Sequence, residues 1–242
     1  ILDLEDAVAA ANKAAARRHV VEWLASDETK SPLVEVRVNA GDAADLAALA
    51  TVAGEFAVRL PKVESPVAID AARAVLGERI PITALIETAL GLEAAATIAA
   101  HPAVTSVGLG EADLASDLGS ADNTVLDWAR VRLIVAARAA GKPPPMMAVF
   151  TAIDDLDGLA TDTERGRRLG FVGRTAIHPR QLPVIAAAFA PTNAEVAWAS
   201  AVVDATAAGG VTTLTSGEMV DAAMRRRAEL ILALHRAATP RT

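Results

Sequence analysis

Ile1-Leu2-Asp3-Leu4-Glu5-Asp6 runs two apolar residues straight into three carboxylates within four positions. The same grammar returns downstream, in Val34-Glu35-Val36-Arg37-Val38-Asn39, in Ala84-Leu85-Ile86-Glu87-Thr88 and in Val107-Gly108-Leu109-Gly110-Glu111-Ala112-Asp113. Each is a short β-prone run ending in charge. Charged groups at the carboxyl ends of successive parallel strands are the material of a barrel active site. The pattern therefore predicts an enzyme.

Working outward from these stretches, Val/Ile/Leu-rich runs alternate with Ala-rich segments of helical period, the signature of repeated βα units around a parallel sheet. Strands are expected near residues 1–4, 33–38, 56–60, 82–86, 104–109, 146–150 and 171–177. Helices are expected near 7–26, 42–53, 66–76, 89–100, 124–140, 155–169, 180–189, 193–208 and 218–236. Val8, Ala11, Ala15, Val20, Trp23 and Leu24 make one apolar stripe of the first helix. Breakers stand where turns are needed, at Gly41-Asp42, Ser65-Pro66, Gly141-Lys142-Pro143-Pro144-Pro145 and His178-Pro179. About seven strands result, one short of a closed (β/α)8 barrel. The expectation is a TIM barrel whose first βα unit is missing from this chain. An open doubly wound sheet is the alternative, weakened because no Gly-rich phosphate fingerprint follows any strand.

Composition narrows the function. The 242 residues suffice for one barrel domain, and 52% hydrophobic with 22% charged residues is a globular profile. No apolar run reaches the ~18 residues needed to cross a bilayer, and nothing at the start resembles a signal peptide. With no Cys in the chain, disulfide and thiol chemistry drop out, and a cytoplasmic address is the default expectation. A net charge of -7 and 3% aromatic residues argue against a nucleic-acid partner.

The candidate site follows from strand alternation. In Leu33-Val34-Glu35-Val36-Arg37-Val38 the valines share one face, and Glu35 and Arg37 share the other. If the valines lie under the helices, Glu35 and Arg37 point into the barrel, where buried charge must be paired or used. One reading is a structural Glu35–Arg37 pair. The other is a guanidinium at a strand end that grips a substrate carboxylate. Glu87 faces inward by the same logic, and Asp113 closes the next strand after a Gly108-Leu109-Gly110 turn. Two carboxylates with no His or Cys beside them suit an oxygen-loving cation such as Mg²⁺. The competing reading places Glu111 and Asp113 simply in the first turn of a helix. Lys13 and Arg17, one helical turn apart, suit a phosphate or plain surface charge. The Arg225-Arg226-Arg227 run reads as a solvated face or an interface.

At these residues the chain resembles the HpcH/HpaI aldolase and citrate lyase β-subunit family of CoA-ester lyases. The resemblance runs in order through Leu2-Asp3-Leu4-Glu5-Asp6-Ala7-Val8, Val36-Arg37-Val38-Asn39 and Leu60-Pro61-Lys62-Val63-Glu64-Ser65. It continues through Leu85-Ile86-Glu87-Thr88-Ala89, Gly110-Glu111-Ala112-Asp113-Leu114, Gly170-Phe171-Val172-Gly173 and Ala176-Ile177-His178-Pro179-Arg180-Gln181. It implies a (β/α)8 barrel over 1–190 and a C-terminal helical lid over 191–242, assembled as a homotrimer or a pair of trimers. It further implies Glu87 and Asp113 as Mg²⁺ ligands, Glu5 and Asp6 as holders of metal-bound waters, and Arg37 facing the acyl carbonyls. Lys13 and Arg17, on the phosphate reading of their spacing, are the candidate cofactor-binding residues. Gly217-Glu218-Met219-Val220-Asp221 is similar to the lid motif, which makes Asp221 the implied acid/base in a neighbouring subunit's site. One departure is Phe150-Thr151-Ala152, where relatives often carry a Tyr-x-Asp pattern.

The activity the resemblance implies is Mg²⁺-dependent carbon–carbon cleavage or condensation of a 3-hydroxyacyl-CoA, such as malyl-CoA or citramalyl-CoA, with an oxo acid and an acyl-CoA as partners. A malyl-CoA-type thioesterase, a lyase of free 4-hydroxy-2-oxo acids and a carrier-dependent subunit inactive alone on CoA esters are the alternatives.

Overall fold

The computed structural model describes residues 1–26, 34–207 and 209–238. Leu33 at the start of one expected strand, Ala208 at the end of one expected helix and residues 239–242 of the expected lid lie outside them. The described residues form two compact units, Ile1–Pro179 and Arg180–Thr242.

The first unit is built on five parallel strands in chain order, β1 (Leu2–Asp3), β2 (Glu35–Arg37), β3 (Ala57–Leu60), β4 (Ile82–Ile86) and β5 (Val104–Leu109). Parallel neighbours require a crossover. Helices supply it here, namely α1 (Lys13–Ala25), α2 (Ala43–Ala50), α3 (Pro66–Leu76) and the pair α4 (Ala89–Glu93) and α5 (Ala95–Ala100). After β5 come α6 (Glu111–Leu118), α7 (Asn123–Ala139) and α8 (Leu156–Leu169).

Register sorts the side chains. Val36, Val58, Ile82 and Val104 are successive partners across the sheet, and each is fully buried in the main apolar core. Burial of each such side chain contributes roughly 1.5–3 kcal/mol. In the opposite phase, Asp3, Arg37, Arg59, Thr83 and Ser106 are successive partners and form a polar row. The expected alternation in β2 therefore holds, with Val36 in the apolar core and Glu35 and Arg37 in the polar phase.

Local chemistry explains where the helices begin and end. Asp42 caps α2 through Ala44 and Asp45, Pro66 opens α3 where a missing N–H costs nothing, and Gly119 closes α6 in the left-handed conformation. The stretch expected as one helix over 89–100 breaks at Ala94, after a Gly91 that is the poorest helix former in it. Helix α6 lies outside the expected helix ranges but matches the competing reading of Glu111 and Asp113 as first-turn residues. The expected strands near 146–150 and 171–177 contract to one parallel bridge, Met147 with Arg174. The prolines at 143–145 lack ladder donors and hold that edge irregular.

The second unit contains α9 (Leu182–Phe189), α10 (Asn193–Ala205), an antiparallel pair β6 (Thr212–Thr213) and β7 (Met219–Val220), and α11 (Ala222–Ala238). Ala199, Val202, Val220 and Ala228 make its small core. Thr192 and Glu195 form a reciprocal capping box at the start of α10. The arginine run is more than a solvated face: Arg225 donates to the Val203 carbonyl, and Arg227 lies 5.1 Å over the Trp198 ring. Among the described residues no helix is long and apolar enough to cross a membrane.

Candidate active site

The carboxyl end of β1 delivers Asp3 beside the end of β2, and this register creates the first feature of the site. Arg37 donates from Nε and Nη2 to the two oxygens of Asp3, at 2.9 and 2.6 Å. Asp3 also accepts from the Glu5 and Ala7 backbones. Burial works against its charge, but Arg37 and the backbone donors outweigh it and hold the carboxyl below the ordinary aspartate value. The same bond to Asp3 raises Arg37 above the ordinary arginine value. Arg37 Nη1 reaches 3.0 Å from Glu5 Oε2 and 3.9 Å from Asp6. Glu5 Oε2 is nonetheless buried without a hydrogen bond. The contact is an ion pair lacking donor alignment, and burial pushes the Glu5 carboxyl up.

The second feature lies at the ends of β3, β4 and β5. Glu87, 2% exposed, follows β4 and accepts the Lys62 backbone N–H at 2.9 Å. A Cβ on Gly110 would stand 2.2 Å from Glu87 Oε1, so only glycine leaves room for this carboxylate. Burial, with Asp113 and Glu5 adding to it, pushes the Glu87 carboxyl up to about 7. Asp113 sits in the first turn of α6. The helical reading of Asp113 and its placement beside Glu87 are thus both true. Lys62 Nζ lies 3.6 Å from Asp113 Oδ1, and the carboxylates around it, Asp113 first, hold its ammonium above the ordinary lysine value.

Three features suit a hard divalent cation: a buried Glu5 oxygen that has an ion pair but no hydrogen bond, a desolvated carboxyl on Glu87, and a glycine-made cradle around that carboxyl. Among the described residues no group of three or more His, Cys, Asp or Glu is placed to hold a metal ion. An ion held by Glu87 and Asp113 would take its other positions from water and substrate, the arrangement usual for a small ion that dehydrates reluctantly.

The structure corrects one pairing. Glu35 does not meet Arg37; it takes two bonds from Arg59, at 2.9 and 2.5 Å, and one from Thr83 at 2.6 Å. Residues two apart on a strand share a face but sit about 7 Å apart, whereas strand neighbours are closer. Lys13 and Arg17 are engaged internally. Lys13 Nζ bonds the Leu4 and Glu5 carbonyls at 2.8 and 2.6 Å, fixing the acidic loop, and Arg17 pairs with Asp42 and Asp45. Asp221 belongs to the second unit, where its Oδ1 accepts from Ala223 and Met224 at the start of α11.

Sequence reasoning passed over Asp3 as a partner, gave Lys62 no role beyond its place in a family motif, and did not single out Arg59 or Arg130. Arg130 on α7 is 2% exposed and pairs with Glu111, Asp127 and Asp162. Asp162 also meets the buried Arg174 at 2.6 Å. A cavity of about 940 Å³ opens beside this network, lined in part by Glu111, Arg130, Phe150, Asp162, Arg165 and Arg174. Glu5, Arg37, Glu87 and Asp113 do not line it, and the carboxylates on the arginines leave it little charge for chemistry. The signal available for Arg130 was its arginine phase on an otherwise apolar helix face.

A family model described as HpcH/HpaI aldolase/citrate lyase matches residues 1–179, and one described as a C–C bond lyase of the TIM-barrel fold matches residues 130–237. The chain is 38% identical over 203 residues to a (3S)-malyl-CoA thioesterase of Cereibacter sphaeroides, covering 81% of this chain and 70% of that protein. It is 35% identical over 243 residues to a citrate lyase subunit beta-like protein of Mycobacterium tuberculosis, covering 96% and 85%. Among solved structures, the M. tuberculosis protein CitE, in complex with magnesium, acetoacetate and coenzyme A, superposes with a TM-score of 0.82 at 34% identity, over 97% of this chain and 88% of that one. The parallel sheet with its crossover helices is thus that of a TIM-barrel protein, and the chain belongs to the HpcH/HpaI aldolase/citrate lyase family.

Proposed function

We propose that this protein is a Mg²⁺-dependent carbon–carbon lyase that splits, or forms, a 3-hydroxyacyl-CoA such as malyl-CoA or citramalyl-CoA. The observation that carries the reading is the Glu87 carboxyl, buried, pushed up to about 7 and set beside Asp113 and the under-bonded Glu5. Burial of the Glu87 carboxylate with only a backbone N–H on it is costly, and such perturbed groups cluster where chemistry is done. Support also comes from the solved relative that holds magnesium, acetoacetate and coenzyme A.

Glu87 and Asp113 would hold the ion, with Glu5 and Asp6 bonding its waters. Bound there, Mg²⁺ supplies Lewis-acid polarisation of the substrate hydroxyl and of the carbonyl it becomes. A base takes the 3-hydroxyl proton, the C2–C3 bond breaks, C3 becomes the carbonyl of the oxo acid, and C2 keeps the electron pair as a thioester enolate. Arg37, held by Asp3 in one orientation, offers its guanidinium to the enolate oxygen as charge develops. Protonation at C2 completes the acyl-CoA. Asp221 is the residue we assign as base, supplied by a neighbouring subunit of a trimer or a pair of trimers, with 191–242 as the lid.

The Cereibacter thioesterase gives a second reading a specific footing, since hydrolysis of malyl-CoA would use the same carboxylates and Arg37. One assay separates the two. Malyl-, methylmalyl- and citramalyl-CoA are incubated with Mg²⁺, then with chelator, and both oxo acid and free CoA thiol are measured. Oxo acid that vanishes with chelator establishes the lyase and names the acyl group. Free thiol without oxo acid replaces the lyase with the thioesterase.

A further inference from the structure

Lys62 is the single non-glycine residue with positive φ among the described residues, at 51°. An L side chain occupies that left-handed region only when its surroundings over-determine it. Here two bonds do so: the Lys62 N–H donates to Glu87 Oε2 at 2.9 Å, and the next N–H, of Val63, donates to the Leu85 carbonyl at 3.1 Å. The backbone of Leu60-Pro61-Lys62-Val63 is thus bent to clamp Glu87. One consequence is the direction of the side chain. Its ammonium stands 3.6 Å from Asp113 Oδ1, with Glu5, Glu87 and Asp6 as its further charged neighbours. A single residue therefore touches both candidate metal ligands, one through its main chain and the other through its charge.

The geometry points to Lys62 as a built-in cation that contests Asp113 with the metal and couples metal binding to substrate binding. The inference rests on Glu87 and Asp113 being the metal ligands. A divalent ion taken up by Asp113 meets the repulsion of an ammonium on the same carboxylate. The ammonium must then leave Asp113, and a carboxylate substrate arriving with the ion gives it a new partner. Metal alone is consequently held loosely, and metal with an anionic ligand is held tightly. Arg37 does not duplicate this role, because Asp3 already holds it bidentately.

The test is Mn²⁺ binding followed by electron paramagnetic resonance, with and without pyruvate as the anionic probe. Lys62→Gly keeps the N–H that clamps Glu87 and tolerates the positive φ, while Lys62→Gln keeps the length of the side chain without the charge. Both should bind Mn²⁺ alone about three- to tenfold more tightly than the native protein, the scale expected for removing one partly screened charge a few ångströms from the site. Pyruvate should tighten Mn²⁺ binding in the native protein more than in either variant. Equal or weaker Mn²⁺ affinity in both variants would overturn the role of Lys62, provided Asp113→Asn has lost the ion. If Asp113→Asn binds Mn²⁺ as the native protein does, the metal-site reading fails and the inference falls with it.

Discussion

Two charge clusters at the same end of the sheet use the same residue types and reach opposite solutions. Around Arg130, every guanidinium faces carboxylates at hydrogen-bonding distance, with Glu111 bound bidentately at 2.9 and 2.6 Å. Around Glu87 the balance is left open: the carboxyl is pushed up to about 7, and Glu5 Oε2 is buried without a hydrogen bond. A satisfied buried network holds a structure together, whereas an unsatisfied one marks where the molecule expects a ligand. Burial and charge count alone would not tell the two apart. The state of the last lone pair does.

The comparison can be broken at its structural end first. Arg130→Met removes the one cation shared by Glu111, Asp127 and Asp162, and breaking a buried pair from one side costs roughly 3–5 kcal/mol. Denaturant unfolding should show that loss; an unchanged midpoint would mean the network is ornamental. At the functional end, Arg37→Lys keeps a positive charge for Asp3 but loses the fork. Turnover should drop by about 10²–10³ with little change in unfolding. Arg37→Ala is a poorer probe, because it also strips Asp3 and Glu5 of their partner and destabilises the fold.

Glu87→Gln sharpens the contrast by reversing the usual sign. The Glu87 carboxyl is raised in the folded protein from 4.5 to about 7, so the neutral form is favoured. Its contribution is intact below pH 4.5 and is lost as pH rises through about 7. In chelator above pH 7, Glu87→Gln should therefore be more stable than the native protein by about 2–3 kcal/mol, while Mn²⁺ binding disappears. Unfolding curves at pH 4 and pH 8 would reveal the difference, and equal curves at both would count against a desolvated carboxyl. The smallest effect is the pH dependence of metal affinity itself. If Glu87 holds the ion as proposed, a proton competes with the ion for it, and Mn²⁺ affinity should decline about tenfold per unit as pH falls below about 7 and level off above it. A flat profile from pH 5 to pH 8 would assign the ion elsewhere.

How much of this was legible beforehand follows from the range of each interaction. Alternation within a strand is local, so the sequence by itself determined that Glu35 and Arg37 share the polar phase of β2 and that Val36 lies in the core. The charged ends of the apolar runs likewise pointed to Glu87 and Asp113 as neighbours, and the ordered family motifs from Asp3 to His178 announced the barrel. The tertiary structure alone decided who meets whom. Arg37 binds Asp3 from 34 positions away, and Glu35 binds Arg59 from 24 positions away and Thr83 from 48. Those partners depend on inter-strand register, which no local pattern encodes. The positive φ of Lys62 and the carboxylate-shaped space at Gly110 belong to the same class. Sequence names the charges that a strand end will carry; only the packing of one strand against the next determines which of them are left unpaired.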